Sequence, residues 1–139
     1  MGIRSFFAKP FAKYIVKKHR KAQHQAIQRQ EFWLKNNLKK AEKTIFGKAF
    51  AFEKIRNYLE FKALVPISEY EDLKPYIEEA VHGSANILWP GKPAYFAKTS
   101  GTTSGAKYIP ISKESMPFHI QGARDALLHY VFHSGNADF

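Results

Sequence analysis

Residues 96–110 read FAKTSGTTSGAKYIP, and this stretch decides how the second half of the chain folds. Two short apolar runs flank a segment of small polar residues, a pattern that predicts strand, loop and strand. Within it, the nine residues from Thr99 to Lys107 include five hydroxyl side chains and two glycines. A plain turn needs a glycine or an asparagine but none of these hydroxyl groups. The composition of the loop therefore indicates a role beyond joining two strands.

The loop has the chemistry of a phosphate-binding site. Gly101 and Gly105 can adopt positive φ and carry no Cβ, so several backbone N–H groups can turn toward an anion that approaches closely. Lys107 adds a positive charge, and hydrogen bonds with a charged partner are about twice as strong as neutral ones. Further donors are the hydroxyl groups of Thr99, Ser100, Thr102, Thr103 and Ser104. Together these groups suit a polyphosphate.

The loop matches neither of two common phosphate motifs. The P-loop pattern G-x-x-x-x-G-K-[ST] fails because Gly101 and Gly105 are only four positions apart and Tyr108 follows the lysine. The dinucleotide pattern G-x-G-x-x-G is absent as well. Composition alone leaves a second hypothesis open, in which the segment is a polar hairpin loop that binds no ligand.

Helical periodicity dominates the chain before the hairpin. Apolar or small residues recur at steps of three and four from about residue 10 to residue 46, which predicts one long helix or two consecutive ones. Gly47 is a suitable stop for this helical region. An aromatic-rich short helix is expected within residues 50–61. The stripe of the first region consists of Phe11, Ile15, Ala22, Ala26, Trp33, Leu34, Leu38, Ala41 and Ile45.

Further local signals place the remaining elements. Ser68 and Glu71 have the spacing of a capping box for a short helix, in which Pro75 starts a further turn and Gly83 marks the end. Residues 87–89 and 94–98 are expected to be extended on either side of a Pro-Gly turn. Ser112 is predicted to cap a last helix whose buried face is formed by Met116, Ile120, Ala123, Leu127 and Val131. The fold class is α+β, with many helices and one hairpin that carries the loop.

The net positive charge is confined to the first part of the chain. Residues 1–62 contain 16 Lys and Arg against 4 Asp and Glu, whereas residues 63–139 contain 6 against 8. Such an asymmetry is compatible with binding to nucleic acid or to an anionic membrane. We favour a solvated helix face, because the lysines alternate with glutamines and apolar residues in a helical pattern.

The totals describe one globular domain. The chain has 139 residues, of which 45% are hydrophobic, and no cysteine, so disulfide bonds and thiolate metal sites are excluded. No apolar run approaches the roughly 20 residues that a membrane span requires. The basic first residues lack the continuous apolar segment of a secretory signal. We therefore expect a cytoplasmic protein.

The order of residues around the loop carries a family resemblance. Residues 96–107 resemble, position by position, the AMP-binding signature of the adenylate-forming superfamily, which includes acyl-CoA synthetases and luciferases. Surrounding segments narrow the resemblance to the acyl-acid amido synthetases named after plant auxin-responsive promoter proteins, a family with bacterial relatives. Those segments are Thr44–Lys48, Val65–Ile67 with Tyr70, Pro75–Ile77, Leu88–Gly91 and Phe96–Ile111.

The resemblance implies a function that the composition does not. It implies a ligase that uses ATP and Mg²⁺ to activate a carboxylic acid as an acyl adenylate and then conjugates it to an amino acid or amine. By the family pattern, Thr99 to Ser104 wrap the β- and γ-phosphates, Gly105 belongs to the same loop, and Lys107 steadies the negative charge. The expected partners are these small molecules, with no nucleic acid and no membrane.

The same resemblance implies that the chain is incomplete. Family members are several times longer, so residues 1–139 are expected to be the N-terminal part of an adenylation domain, within the large N-terminal domain of an α/β enzyme. The parts are a basic helical region, 1–62, and a segment with a helix, the hairpin and a helix, 63–139. We expect no adenylation by the chain alone. The alternative is a basic helical module that binds nucleic acid or an anionic membrane and has no catalytic role.

Two pairs of side chains near the C-terminus have separate predictions. His129 and His133 have the i,i+4 spacing of a helical metal chelate, but the sequence offers no evident third ligand, so we predict no metal site. Arg124 and Asp125 are expected on a solvated helix face. No residue is assigned a catalytic role.

Overall fold

The computed structural model describes residues 3–99 and 105–137. In this part, helices predominate and one two-stranded sheet is present. The chain divides into two compact units, which we call the helix-pair unit (Met1–Gln28 with Glu114–Phe139) and the hairpin unit (Arg29–Lys113). The elements are α1 (Ile3–Gln23), α2 (Ala26–Ala41), α3 (Ile45–Ala49), a 3₁₀ helix (Phe52–Lys54), α4 (Tyr58–Leu64), α5 (Tyr70–Val81), β1 (Tyr95–Thr99), β2 (Lys107–Ile111) and α6 (Met116–Ser134).

In the helix-pair unit, α1 packs against α6. Their contact is a small apolar core of Ala12, Ile15, Leu128 and Val131, with Ala137 packed against it. Gly135 ends α6 in the left-handed conformation that glycine adopts without strain, and its N–H donates to the carbonyl of Val131. The unit is therefore held together by residues from opposite ends of the sequence.

The predicted buried face of α6 was wrong except at one end. Val131 is buried as predicted, but Ile120 is 64% exposed and Leu127 is 44% exposed. The buried residues of the helix are Asp125, Leu128 and Val131. Apolar residues lie all around α6, so their periodicity does not select one face. The predicted cap was wrong too, because α6 begins after Ser115 rather than at Ser112.

The first helical region consists of two consecutive helices, one of the two predicted arrangements. α1 ends at Gln23 and α2 begins at Ala26. In the hairpin unit, the end of α2 supplies Leu38 and Ala41 to a core that also contains Phe52 and Ile55. The predicted stop at Gly47 was wrong, since α2 ends at Ala41 and Gly47 lies inside α3. The short helix predicted within residues 50–61 is divided into the 3₁₀ helix and α4, and Phe52 and Phe61 contribute to the core while Tyr58 is 61% exposed.

Backbone hydrogen bonds tie α3 to the segment that precedes the hairpin. The N–H of Ile45 donates to the carbonyl of Asn86 at 2.9 Å, and the N–H of Phe46 donates to that of Ile87 at 3.0 Å. Residues 87–89 form a bend rather than the predicted extended run. Ile87 is nevertheless buried, so this bend anchors the segment that leads into β1.

The capping box of α5 lies one residue later in the sequence than predicted. The box is formed by Glu69 and Asp72, and the N–H of Glu69 donates to Asp72 Oδ2 at 2.8 Å. Pro75 lies inside α5 instead of starting a separate turn, while Gly83 follows the end of the helix as predicted. With the capping box at Glu69, Tyr70 is the first residue of α5.

The two predicted strands are confirmed as an antiparallel pair, β1 and β2. The register pairs Tyr95 with Ile111 at one end and Thr99 with Lys107 at the other. Beyond the first pair, the N–H of Ala94 donates to the carbonyl of Ile111 at 2.8 Å. Among the helices of the described residues, none has both the length and the apolar content that a bilayer crossing needs.

Candidate functional site

The loop end of the hairpin brings two predicted site residues together. Thr99 is the last residue of β1, Lys107 is the first of β2, and the two are directly opposite each other in the register. Opposite residues of an antiparallel pair have Cα atoms about 4.5 to 5.5 Å apart. Thr99 is exposed and Lys107 is half-buried. The hydroxyl group and the ammonium group thus belong to the same end of the sheet.

Gly105 lies two residues before Lys107 and has a φ of +81°, a conformation that residues with a side chain rarely adopt. Among the described residues other than its chain neighbours, no heavy atom lies within 4 Å of the position where a Cβ would be. In this part of the chain, nothing blocks the approach of a ligand to its backbone. The other predicted site residues lie outside the described residues, namely Ser100, Gly101, Thr102, Thr103 and Ser104.

The two strands make the site electropositive. Lys98 and Lys107 are their charged residues, and neither strand contains an aspartate or glutamate. Lys98 lies opposite Tyr108, one pair away from the loop end. All charge within the two strands is positive, so the strands themselves attract an anion at this end.

A tyrosine that sequence reasoning did not assign to the site contacts it from α5. The Lys107 Nζ lies 5.1 Å from the centroid of the Tyr70 ring, within the range of a cation–π interaction. The N–H of Tyr108 donates to the Tyr70 hydroxyl at 2.9 Å. Tyr70 is far from the loop in sequence, and no local pattern signals a contact over such a separation.

Asp125 was predicted on a solvated face, and this prediction was wrong. The carboxylate is buried between α1 and α6. Arg124 donates to its Oδ1 from Nε at 2.9 Å and from Nη2 at 2.7 Å, and Gln121 Nε2 donates to its Oδ2 at 3.4 Å. From α1, the Nε2 atom of His19 lies 3.3 Å from Oδ2. The buried position is tolerable because the charge is paired and hydrogen-bonded.

These partners determine the ionisation of Asp125. Burial alone would raise the pKa of the carboxyl group, but hydrogen bonds from Arg124 and Gln121 and the charges of Arg124 and His19 outweigh it. The pKa of Asp125 is therefore lowered from its ordinary value. The carboxylate is the favoured form in the folded protein at neutral pH.

The histidines of the helix pair bond to one another and to the backbone. His19 Nδ1 and His129 Nε2 are 2.9 Å apart, with the two rings stacked. His133 Nδ1 donates to the carbonyl oxygen of His129 at 2.9 Å, so that nitrogen is engaged within α6. Throughout residues 3–99 and 105–137, no group of three or more His, Cys, Asp or Glu side chains is arranged to hold a metal ion.

Comparisons with a family model and with individual proteins agree on one family. The sequence pattern of the GH3 family N-terminal domain matches residues 15–134. A probable indole-3-acetic acid-amido synthetase, GH3.13 of Oryza sativa subsp. japonica, is 43% identical over 58 residues, which cover 40% of this chain and 12% of that protein. A jasmonoyl-L-amino acid synthetase, JAR6 of Nicotiana attenuata, is 38% identical over 63 residues, or 44% of this chain and 11% of that protein. The chain thus matches only about an eighth of the length of these relatives.

Proposed function

Because the chain belongs to the GH3 family, as the match over residues 15–134 shows, we propose that it supplies the phosphate-binding part of an ATP-dependent acyl-acid amido synthetase. Of the two similar plant proteins, one is named an indole-3-acetic acid-amido synthetase and the other a jasmonoyl-L-amino acid synthetase. Such a reaction forms an amide bond from a carboxylate, which needs activation because its oxygen is a poor leaving group. The activity as a whole belongs, in this proposal, to a longer protein.

The proposed reaction has two steps. The carboxylate oxygen of the acid attacks the α-phosphorus of ATP, and the bond from that phosphorus to the bridging oxygen breaks, which releases pyrophosphate and leaves an acyl adenylate. The amino group of the second substrate then attacks the acyl carbon, loses a proton and expels AMP. Negative charge accumulates on the departing pyrophosphate in the first step, so fixed donors and cations around it lower the barrier.

The observation that supports this proposal most directly is the pairing of Thr99 with Lys107 beside the open backbone of Gly105. It joins a hydroxyl donor, an ammonium group and accessible peptide groups at one end of a hairpin that bears only positive charge. In the proposal, these groups hold the β- and γ-phosphates of ATP, with further donors from Ser100 to Ser104. Lys107 neutralises part of the charge that develops on the pyrophosphate.

Magnesium fits this site through the phosphates rather than through protein ligands. The described residues contain no cluster of carboxylates or imidazoles that could hold a metal ion, whereas a triphosphate offers oxygen ligands of the kind that Mg²⁺ prefers. When bound, the ion would polarise the phosphoryl oxygens. The chain's own contribution is to orient and neutralise the phosphate groups to which the ion is bound.

A titration of the 139-residue chain with Mg²⁺-ATP tests the phosphate site. We expect amide chemical shifts from Thr99 to Lys107 to change in two-dimensional NMR spectra. The variant Lys107→Met should weaken the apparent affinity by about 10-fold, the loss expected for one hydrogen bond to a charged group. The matched control, Lys98→Met, removes the same charge one pair away on β1 and should change the affinity less than 3-fold, since only screened long-range attraction is lost.

Two results would count against the proposal. One is the absence of any shift change in the loop at millimolar Mg²⁺-ATP. The other is an equal effect of Lys98→Met and Lys107→Met, because general attraction to a basic surface would then explain binding. Salt-sensitive retention on heparin that disappears when residues 1–30 are deleted, together with no nucleotide effect, would instead favour the basic helical module.

The proposal also assigns no adenylation to the chain alone. A phosphate loop without an acyl site and an adenine site lacks the positioning that brings the carboxylate to the α-phosphorus. We therefore expect acid-dependent exchange of radiolabelled pyrophosphate into ATP to stay at the level of a blank without protein. Exchange clearly above that level with any carboxylic acid would overturn this part of the proposal.

A further inference from the structure

We propose that Tyr70 is the positioning residue for Lys107, an inference that rests on the proposed function of the loop as a phosphate site. Tyr70 is the first residue of α5, and its side chain holds both the ammonium group of Lys107 and the start of β2 in place. The phosphate-binding cation is then presented from one defined place before the nucleotide arrives. The inference adds to the site a residue from outside the hairpin.

Two contacts, made by different parts of one side chain, carry the inference. The ring of Tyr70 lies 5.1 Å from Lys107 Nζ, and its hydroxyl oxygen accepts a hydrogen bond from the Tyr108 N–H at 2.9 Å. One contact holds a side chain and the other holds the backbone of the next residue. Together they fix both the position of β2 along its own direction and the direction of the lysine side chain.

Tyr70 is itself well placed to be a fixed support. It is the first residue of α5, and the capping box of Glu69 and Asp72 defines the backbone at this helix start. The side chain is half-buried. A residue at a capped helix start has little backbone freedom, so the contacts it makes hold the strand rather than following it.

The choice of an aromatic ring has a chemical consequence for the lysine. A carboxylate beside Lys107 would neutralise the ammonium and compete with the phosphate for it. A ring face attracts the cation more weakly and leaves its hydrogen-bond donors uncommitted. A lysine side chain that is already confined loses less conformational entropy when the phosphate binds. Tyr70 thus orients Lys107 without neutralising its positive charge.

A double-mutant cycle on the 139-residue chain tests the inference. Tyr70→Leu removes both contacts, and in the otherwise native chain it should weaken Mg²⁺-ATP binding about 2- to 5-fold, the range that one exposed cation–π contact accounts for. In the Lys107→Met background the same change should alter the affinity by less than about 1.5-fold, because residues that act through one another are not additive. Tyr95→Leu, a change at the far end of the same hairpin, is the control and should have no effect in either background.

A second measurement needs no nucleotide. Side-chain εCH₂ protons of Lys107 should show the upfield shift that a nearby aromatic ring causes, and Tyr70→Leu should abolish it. Tyr70→Phe keeps the ring and loses only the hydroxyl group. It should therefore keep that shift while hydrogen exchange at the Tyr108 amide becomes at least 3-fold faster, as expected from the loss of one hydrogen bond. This variant tests the inference even if Tyr70→Leu does not fold.

The outcomes separate this inference from the proposed function. If Lys107→Met leaves ATP binding unchanged, the phosphate site is wrong, and the εCH₂ shift and amide exchange still decide whether Tyr70 holds Lys107. If Lys107→Met weakens binding but Tyr70→Leu does not, only the positioning role is wrong. An equal loss from Tyr70→Leu in both backgrounds would also overturn it, because the tyrosine would then act by a route that excludes the lysine.

Discussion

Two polar residues are buried among the described residues, and each unit contains one of them. Thr44, in the hairpin unit, is 1% exposed, and Asp125, in the helix-pair unit, is 6% exposed. The Thr44 hydroxyl donates to the carbonyl of Ala41 at 2.7 Å and accepts from the N–H of Gly47 at 2.9 Å. Asp125 instead bonds to side chains, one of them on the opposite helix.

The two units satisfy a buried polar group in different ways. Thr44 is neutral and joins backbone groups three residues away in either direction, so its bonds are local and do not depend on pH. Asp125 is charged, and part of its environment comes from His19 on α1, so its bonds depend on pH and on packing between distant segments. We expect the Thr44 site to be insensitive to acid and vulnerable to changes in shape, and the Asp125 site to have the reverse sensitivity.

The largest effect is expected from adding one methyl group to the hairpin unit. A Cβ on Gly47 would lie 2.0 Å from the carbonyl oxygen of Ala41, which is backbone that the Thr44 bond holds in place. Gly47→Ala should therefore cost about 3 kcal/mol, at the upper end of overpacking effects. The free energy of unfolding from urea denaturation measures it.

The matched control makes the same change in the helix-pair unit. Gly122 lies inside α6, and apart from the backbone of its own helix no heavy atom of the described residues lies within 4 Å of a Cβ position. Gly122→Ala should raise the free energy of unfolding by up to about 1 kcal/mol, the helix propensity difference between the two residues. Equal effects of the two variants would show that the backbone around Gly47 is not rigid.

An intermediate effect is expected at Thr44 itself. Thr44→Val keeps the shape and removes the hydroxyl, which leaves the Gly47 N–H without its partner at the start of α3. The loss should be about 1 to 2 kcal/mol, as for other helix caps, and it should be the same at pH 4 and pH 7. Thr44→Ser retains the hydroxyl and should recover most of that loss. A pH-dependent difference between Thr44→Val and the native chain would contradict the comparison.

The smallest effect at neutral pH, and the one that changes with pH, is expected at Asp125. The folded-state pKa of this group lies below its ordinary value of 3.8, so the unfolded chain takes up the proton first as the pH falls. Its stabilisation is complete above the unfolded value and is lost as the pH falls through the folded one. Asp125→Asn should cost about 1 kcal/mol at pH 7, and this cost should diminish as the pH falls through the folded-state pKa.

An exposed acidic residue provides the control for that pH profile. Glu31, on α2, is exposed, and Glu31→Gln removes the same charge. Thermal unfolding of both variants and the native chain from pH 2 to pH 7 gives the comparison. A cost of Asp125→Asn that stays constant across this range would show that shape, and not charge, is what the carboxylate contributes.

Local signals predicted the hairpin well. The change from apolar to small polar residues at Thr99 and back at Tyr108 marks the strands within one residue of their observed bounds. The interpretation of the loop needed only neighbouring residues too, and the register joins Thr99 and Lys107 as a hairpin must. These features are encoded within about fifteen consecutive residues, which is why the sequence alone predicts them.

Features that depend on distant segments were not predictable in the same way. The buried face of α6 is selected by α1, whose His19 accommodates a carboxylate that looks like a surface residue in its own helix. Tyr70 reaches Tyr108 across 38 positions, and nothing near either residue indicates the contact. In both cases a polar side chain is satisfied by a partner that a single sequence does not identify.

The helix-pair unit has a consequence for how the chain folds during synthesis. Its contact between His19 and His129 spans 110 positions, whereas the hairpin unit is continuous in sequence. As the chain leaves the ribosome, the hairpin unit can fold first, while the apolar side of α1 has to wait until α6 has emerged. During that interval α1 exposes Ala12, Ile15 and Val16, which makes it a suitable segment for chaperones to bind.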